Sequence, residues 1–269
     1  MFELDSRQIL IYLAVKYEGD ANRIYTALHL HEDIDTSYEE IKRVCESLKC
    51  KAITFLDYDY PEKLKTIYRP PLVLFYYGDI TLLSDKKTKY GIVGSREYTE
   101  YGKEATQKLV SEIGNDKIVV SGLAKGIDAL AHQTALDSGA RTIAVLGSGI
   151  DNCYPTDNKE LYEEIKRKHL LISEYPGMSE PFQGHFPKRN RIIVGLSDFV
   201  IVPQINSYQS GTMISINMCL QSNKPLFVVP HPIFALTINN EIIKEGADIA
   251  LNGRQILDDL KHSWKMDFS

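Results

Sequence analysis

The chain has 269 residues, 43% hydrophobic and 25% charged, enough for one sizeable α/β domain and a small accessory unit. No apolar run approaches the roughly 20 residues of a bilayer span, and Met1-Phe2-Glu3-Leu4-Asp5 lacks the basic start and apolar core of a signal peptide, so a cytoplasmic protein is expected. A net charge of −5 argues against a uniformly basic nucleic-acid binder, and four scattered cysteines without a C-x-x-C pair argue against zinc; no metal and no cofactor are expected.

Residues 1–50 read as short helices. Residues 8–15 are apolar enough to form one, and residues 22–28 form a second. A third begins near Ser37, where Ser37-Tyr38-Glu39-Glu40 resembles a capping box, and continues through Ile41, Val44 and Leu48 at helical spacing. Residues 1–60 hold 12 acidic and 7 basic side chains, so the whole charge deficit sits there and the remainder is neutral. A helical N-terminal domain over 1–60, suited to packing or partner contact, is expected, with a second domain over 61–269.

Residues 51–85 form an aromatic connector with turn signals at Asp59-Tyr60-Pro61-Glu62 and Arg69-Pro70-Pro71. Within it, residues 72–78 read as a strand at the edge of the next domain rather than as a stacking surface for bases. From Lys89 onward strands and helices alternate. Strands are predicted at 89–93, 117–121, 142–147, 169–173, 198–202 and 225–229, and helices at 100–114, 127–138, 158–168 and 211–222. Near-continuous apolar strands alternating with helices predict an α/β fold, a mostly parallel sheet covered on both faces. Ligands of such sheets bind at the carboxyl ends of the strands, where two glycine-rich turns fall.

The first turn, Gly94-Ser95-Arg96, combines a tight bend, a hydroxyl and a planar cation suited to phosphate. The second, Ser121-Gly122-Leu123-Ala124-Lys125-Gly126-Ile127-Asp128, reads as a strand end, a phosphate-cradling turn and a helix start, whose free N–H groups favour anions. Asp128 is read as a helix cap, and His132 as part of an internal hydrogen bond rather than a catalytic Asp–His pair. Neither turn satisfies G-x-G-x-x-G. Gly147-Ser148-Gly149 lacks the third glycine, and no G-x-x-x-x-G-K-[ST] loop is present. Further on, Phe186-Pro187-Lys188-Arg189-Asn190-Arg191-Ile192-Ile193 gathers three cations, an amide and a ring, the composition of a single-strand site. It lies in a window from Pro181 to Asn240 with no Glu and one Asp, Asp198. Ser210-Gly211-Thr212 opens another helix with small residues.

These stretches, with Ala131-His132, Ala144-Val145-Leu146-Gly147-Ser148-Gly149, Tyr154-Pro155 and Ser173-Glu174-Tyr175, cover most of residues 72–230. Together and in this order they resemble the DprA/Smf family, the DNA-processing proteins of natural transformation. The resemblance implies an extended Rossmann-like domain that binds single-stranded DNA, forms a homodimer and loads the recombinase RecA. It also implies a sterile-alpha-motif-like fold for residues 1–60. Many members carry a C-terminal winged helix; with about forty residues after Pro230, none is expected here. Carried over by position, Gly94, Ser95, Arg96, Ser121, Gly122, Lys125 and Gly126 hold phosphates. Lys188, Arg189, Asn190 and Arg191 line the same pocket, Phe186 packs on a base, and Ser210, Gly211 and Thr212 close the pocket. Two departures stand out. Residues 207–212 lack an expected cation, and His231 stands where the family has glycine after Pro230. Residues 238–251 are the candidate dimer contact.

Three functions fit such a pocket: a non-enzymatic mediator on single-stranded DNA, a phosphoribohydrolase-like enzyme of the same fold, and a nucleotide-binding sensor. The enzyme needs a glutamate at the position of Ser215, and no Glu lies in the window from Pro181 to Asn240. The mediator is the expected function, with no catalytic residues.

Overall fold

Nine strands join into one sheet in the computed structural model of the chain, which describes residues 5–30 and 36–266. They are β1 (Lys51–Thr54), β2 (Val73–Gly78), β3 (Lys89–Ile92), β4 (Ile118–Ser121), β5 (Arg141–Leu146), β6 (Leu170–Ser173), β7 (Phe199–Val202), β8 (Leu226–Val228) and β9 (Asp248–Ile249). Their order across the sheet is β1-β2-β6-β5-β4-β3-β7-β8-β9. β2 runs antiparallel to both β1 and β6, and every other pairing is parallel. The chain walks outward from β3 through β4 and β5 to β6, then returns to place β7 on the other side of β3. That reversal opens a crevice at the carboxyl end of β3.

Alternating side chains fill opposite faces of the sheet. Ile118, Val120, Ile143 and Val145 point to the face covered by α9 (His185–Leu196) and α10 (Gly211–Gln221). Val119, with Tyr90, Ile92 and Phe199, packs on the other face against α6 (Glu100–Ile113), α7 (Ile127–Asp137) and α12 (Gly253–Met266). Beside them Ala144 and Leu146 pack under α8 (Lys159–Lys168). Burial on both faces is why these strands read as unbroken apolar runs. The expected mostly parallel sheet with helices on both faces is borne out.

The N-terminal helices are α1 (Ser6–Lys16), α2 (Ala21–His29) and α3 (Tyr38–Ser47). Each starts at a side chain that accepts from the first turn: Asp5 from Arg7 N–H, Asp20 from Asn22 and Arg23 N–H, and Ser37 from Glu40 N–H. Leu10, Leu13, Ile24 and Ala27 share one core with Val73, Phe75 and Leu171 of the sheet. The boundary expected at residue 60 falls past β1, which pairs with β2 inside the sheet. Residues 1–4, on which the reading about a leader rests, lie outside the described residues.

Two strands were not anticipated, the four-residue β1 and the two-residue β9. The larger difference is α9, because in the sequence residues 185–196 read only as a binding motif. Proline at its third position is compatible with a helix, since the N–H it removes has no partner within the first turn.

Candidate nucleic-acid interface

The two glycine turns leave β3 and β4 side by side and lock into one another. A Cβ on Gly94 would stand 2.7 Å from the Cβ of Ile127. Gly126, at φ +84°, lies against the carbonyls of Ser95 and Arg96, which a side chain would overlap. Ile127 N–H donates to Ser95 O at 3.1 Å. Beneath both turns sits Asp128, whose Oδ2 accepts from Gly122 N–H at 3.2 Å and whose charged form is also favoured by the nearby N–H groups of Ala124 and Gly94. Burial pushes this carboxyl up, while Arg189 and the three N–H groups oppose that shift. Asp128 therefore binds backward to the loops, and α7 starts at Gly126 without a side-chain cap.

Helix α9 supplies the next wall. Arg189 is buried and donates through Nη1 to Gly122 O at 2.5 Å and to Val145 O, and through Nε to Asn190 Oδ1 at 3.1 Å. Gly122 has no side chain because the guanidinium lies on it. Asn190 donates to Gly211 O at 3.0 Å, and Thr212 donates to Gly94 O at 2.9 Å, so α10 is tied to both α9 and the first turn. These walls enclose an open cavity of about 480 Å³. At its mouth the exposed Arg96 guanidinium stands 6.0 Å from the centre of the Phe186 ring. Tyr154, 43% exposed, lies 5.7 Å from the same ring. The Arg96 side chain has no carboxylate partner among the described residues, so it is free to meet an anion.

The cavity gathers nine of the expected residues: Gly94, Ser95, Arg96, Phe186, Arg189, Asn190, Ser210, Gly211 and Thr212. The other six stand elsewhere. Ser121 is fully buried and spends its hydroxyl on Ile92 O at 2.6 Å. Gly122 and Gly126 shape the floor without lining it. Lys125 points outward and pairs with Asp157 at 2.5 Å. Lys188 lies on the opposite flank of α9. Arg191 turns away too, because two bonds of 2.6 Å hold its guanidinium on Glu174. The acid-poor window is thus no continuous basic face: Arg189 and Arg191 are internally bonded, and Lys224 donates to Ser197 O. The N–H group of Gly122 is likewise committed to Asp128.

Sequence reasoning missed Glu97, Asn206 and Gln209 in the lining and Tyr154 beside it. Tyr154 was legible within its Tyr-Pro pair, whereas Asn206 carries no signal: its N–H donates to Ser95 Oγ at 3.0 Å across 111 positions of sequence. His132 forms no pair with Asp128. Thr142 Oγ1 donates to Val119 O, so it accepts from His132 Nδ1–H at 2.7 Å.

A family profile described as DNA recombination-mediator protein A matches residues 51–261. The DNA processing protein DprA of Streptococcus pneumoniae is 39% identical over 214 residues, covering 79% of this chain and 75% of that protein. The DNA processing protein DprA of Bacillus subtilis is 38% identical over 240 residues, covering 87% and 80%. Among solved structures, DprA from Streptococcus pneumoniae superposes with a TM-score of 0.80 at 34% identity, over 95% of this chain and 93% of that one. DprA from Helicobacter pylori, whose structure is described for its single-stranded DNA binding mode, gives a TM-score of 0.72 at 32% identity, over 81% and 98%. Among the described residues no helix is long and apolar enough to cross a membrane.

Proposed function

Because the chain belongs to the DNA recombination-mediator protein A family, we propose that it binds single-stranded DNA in this cavity, leaves it chemically unchanged, and as a homodimer passes it to the recombinase RecA in the cytoplasm. The observation that carries the reading is the unpaired Arg96 guanidinium beside the Phe186 and Tyr154 rings at the cavity mouth. A cation for a phosphate next to rings for a base suits a flexible single strand, whose unpaired bases can stack. The Helicobacter pylori relative supports it, since single-stranded DNA is what that structure was determined with respect to.

The non-enzymatic part rests on the acids. Asp128 is buried and accepts from Gly122 N–H, and the position suited to a catalytic acid is the buried Ser215. Glu97 lines the cavity, but with no histidine in that lining to share a proton. The dimer reading is supported by apolar side chains around the C-terminal edge strand, Ile249 and Leu251 among them, in the stretch 238–251.

Arg96→Ala tests the reading. A lost charge-assisted contact of roughly 1.5–3 kcal/mol weakens binding of an oligothymidylate about 10- to 100-fold. The same change makes the dependence of log K on log salt shallower by about 0.7. Unchanged affinity and slope would refute the site. RecA loading is read from the rate at which RecA displaces single-strand-binding protein from DNA: the unaltered chain accelerates it and Arg96→Ala does not.

A further inference from the structure

Helix α9 has two flanks, and the cavity uses one of them. Phe186, Arg189 and Asn190 face the cavity, while His185, Lys188 and Arg191 face a second depression on the other side. This depression, about 270 Å³, continues into one of about 640 Å³ that shares Tyr68, Arg191 and Met218 with it. Together they form a trough along the outer flank of α9, floored by Ile214, Met218 and Val194. Only the first turn of α9 separates the head of the trough from the cavity mouth.

The chemistry of the trough repeats that of the mouth. Tyr68 is 79% exposed, and the exposed Arg69 guanidinium stands 5.2 Å from the centre of its ring. Lys188, also exposed, faces them across the trough. Neither Arg69 nor Lys188 has a carboxylate partner among the described residues. The acids nearby are already engaged. Glu174 is held by Arg191, and Asp198 by Lys63. Asp20 accepts from Asn22 and Arg23 N–H at the start of α2. Two free cations, an exposed ring and an apolar floor, beside carboxylates already hydrogen-bonded within the chain, match a polyanion with stacking bases rather than a protein segment.

We propose that the outer flank of α9 is a second single-strand subsite, in which the DNA leaving the Arg96–Phe186 mouth crosses the first turn of α9 and continues past Lys188 and Arg69 with a base on Tyr68. The proposal rests on the single-strand reading of the cavity. A chain that turns over one helix spans two stacking platforms, and the second contact is intramolecular once the first is made. The trough thus adds affinity only for strands long enough to reach it.

The test compares oligothymidylates of about 6 and about 20 nucleotides, lengths that bracket single-strand site sizes, on the full chain and a triple variant, Tyr68→Ala with Arg69→Gln and Lys188→Gln. The longer strand loses about tenfold or more in affinity in the triple variant, and its salt slope becomes shallower by about 1.4, for two phosphate contacts. The shorter strand changes less than twofold. Ultraviolet cross-linking of the longer strand, carrying iodouracil, labels Tyr68 in the unaltered chain. All three positions are at the surface, so an unchanged melting temperature confirms folding. Equal losses for both lengths, or no loss for either while Arg96→Ala weakens both, overturn the trough alone. Failure of the unaltered chain to bind either strand overturns the cavity reading and the trough together.

Discussion

His132 illustrates what a single side chain contributes here without touching the cavity. It is fully buried on α7, and burial together with the nearby Arg189 charge lowers its pKa from 6.5 to about 3. The unfolded chain gains a proton there below pH 6.5, whereas the folded chain refuses it down to about pH 3. Its stability is therefore complete above pH 6.5 and falls by up to roughly 1.4 kcal/mol per pH unit as the solution is acidified. Burial lowers His169, His185 and His231 as well, which adds to the slope. Urea unfolding midpoints are expected to drop steadily between pH 6.5 and 4.5, and His132→Gln to flatten that decline. A midpoint independent of pH over this range would contradict the buried neutral imidazole. At this scale the sequence is least legible. Ser121 and Ser95 both end apolar strands at glycine turns, yet one hydroxyl is sealed against Ile92 O and the other lines the cavity. The difference lies in residues far away in sequence.

At the scale of elements, α9 is held at both flanks by arginines two positions apart. Arg189 fixes it to the ends of β4 and β5, and Arg191 fixes it to Glu174, just past β6. Both Arg191 and Glu174 are largely buried, at 12% and 7% side-chain exposure. Removing one partner leaves the other charge buried and unpaired, so Arg191→Ala is expected to cost about 3–5 kcal/mol in urea unfolding. Lys188→Ala, at the exposed position just before them, is expected to stay within about 0.5 kcal/mol. Equal costs for the two would sink this division of labour. The element pattern itself was readable where strands are buried on both faces, because Ile118–Ser121 or Phe199–Val202 leave no polar alternative. It failed at α9, where proline and clustered charge masked a helix whose apolar half, Ile192 to Leu196, lies at its end. It failed again at β1, a short strand whose place is set by its antiparallel partner β2.

On the scale of the molecule, the acidic N-terminal helices are not an appendage, since they complete the core over β2 and β6. The most exposed apolar surface is at the other edge of the sheet. Ile233, Phe234 and Leu236 are 91%, 95% and 94% exposed in the loop after β8, and Ile249 on the edge strand β9 is 43% exposed. Exposed apolar side chains of this kind suit the dimer proposed above. Sedimentation is expected to give a dimer for the unaltered chain and a monomer for Phe234→Asp combined with Ile249→Asp, each still folded by circular dichroism. A dimer that survives both changes would move the contact elsewhere. The Asp128 carboxylate has a further bearing on how the molecule fares inside a cell. Free nucleotides are abundant there, and a crevice of this fold would ordinarily offer its loop amides to any of them. Here the Gly122 amide already serves an anion that belongs to the chain itself. Under the single-strand reading, Arg96 with the Phe186 and Tyr154 rings forms a hold that a polymer multiplies along its length. Selectivity for a long strand over the nucleotide pool would then owe part of its strength to a residue hidden beneath the site.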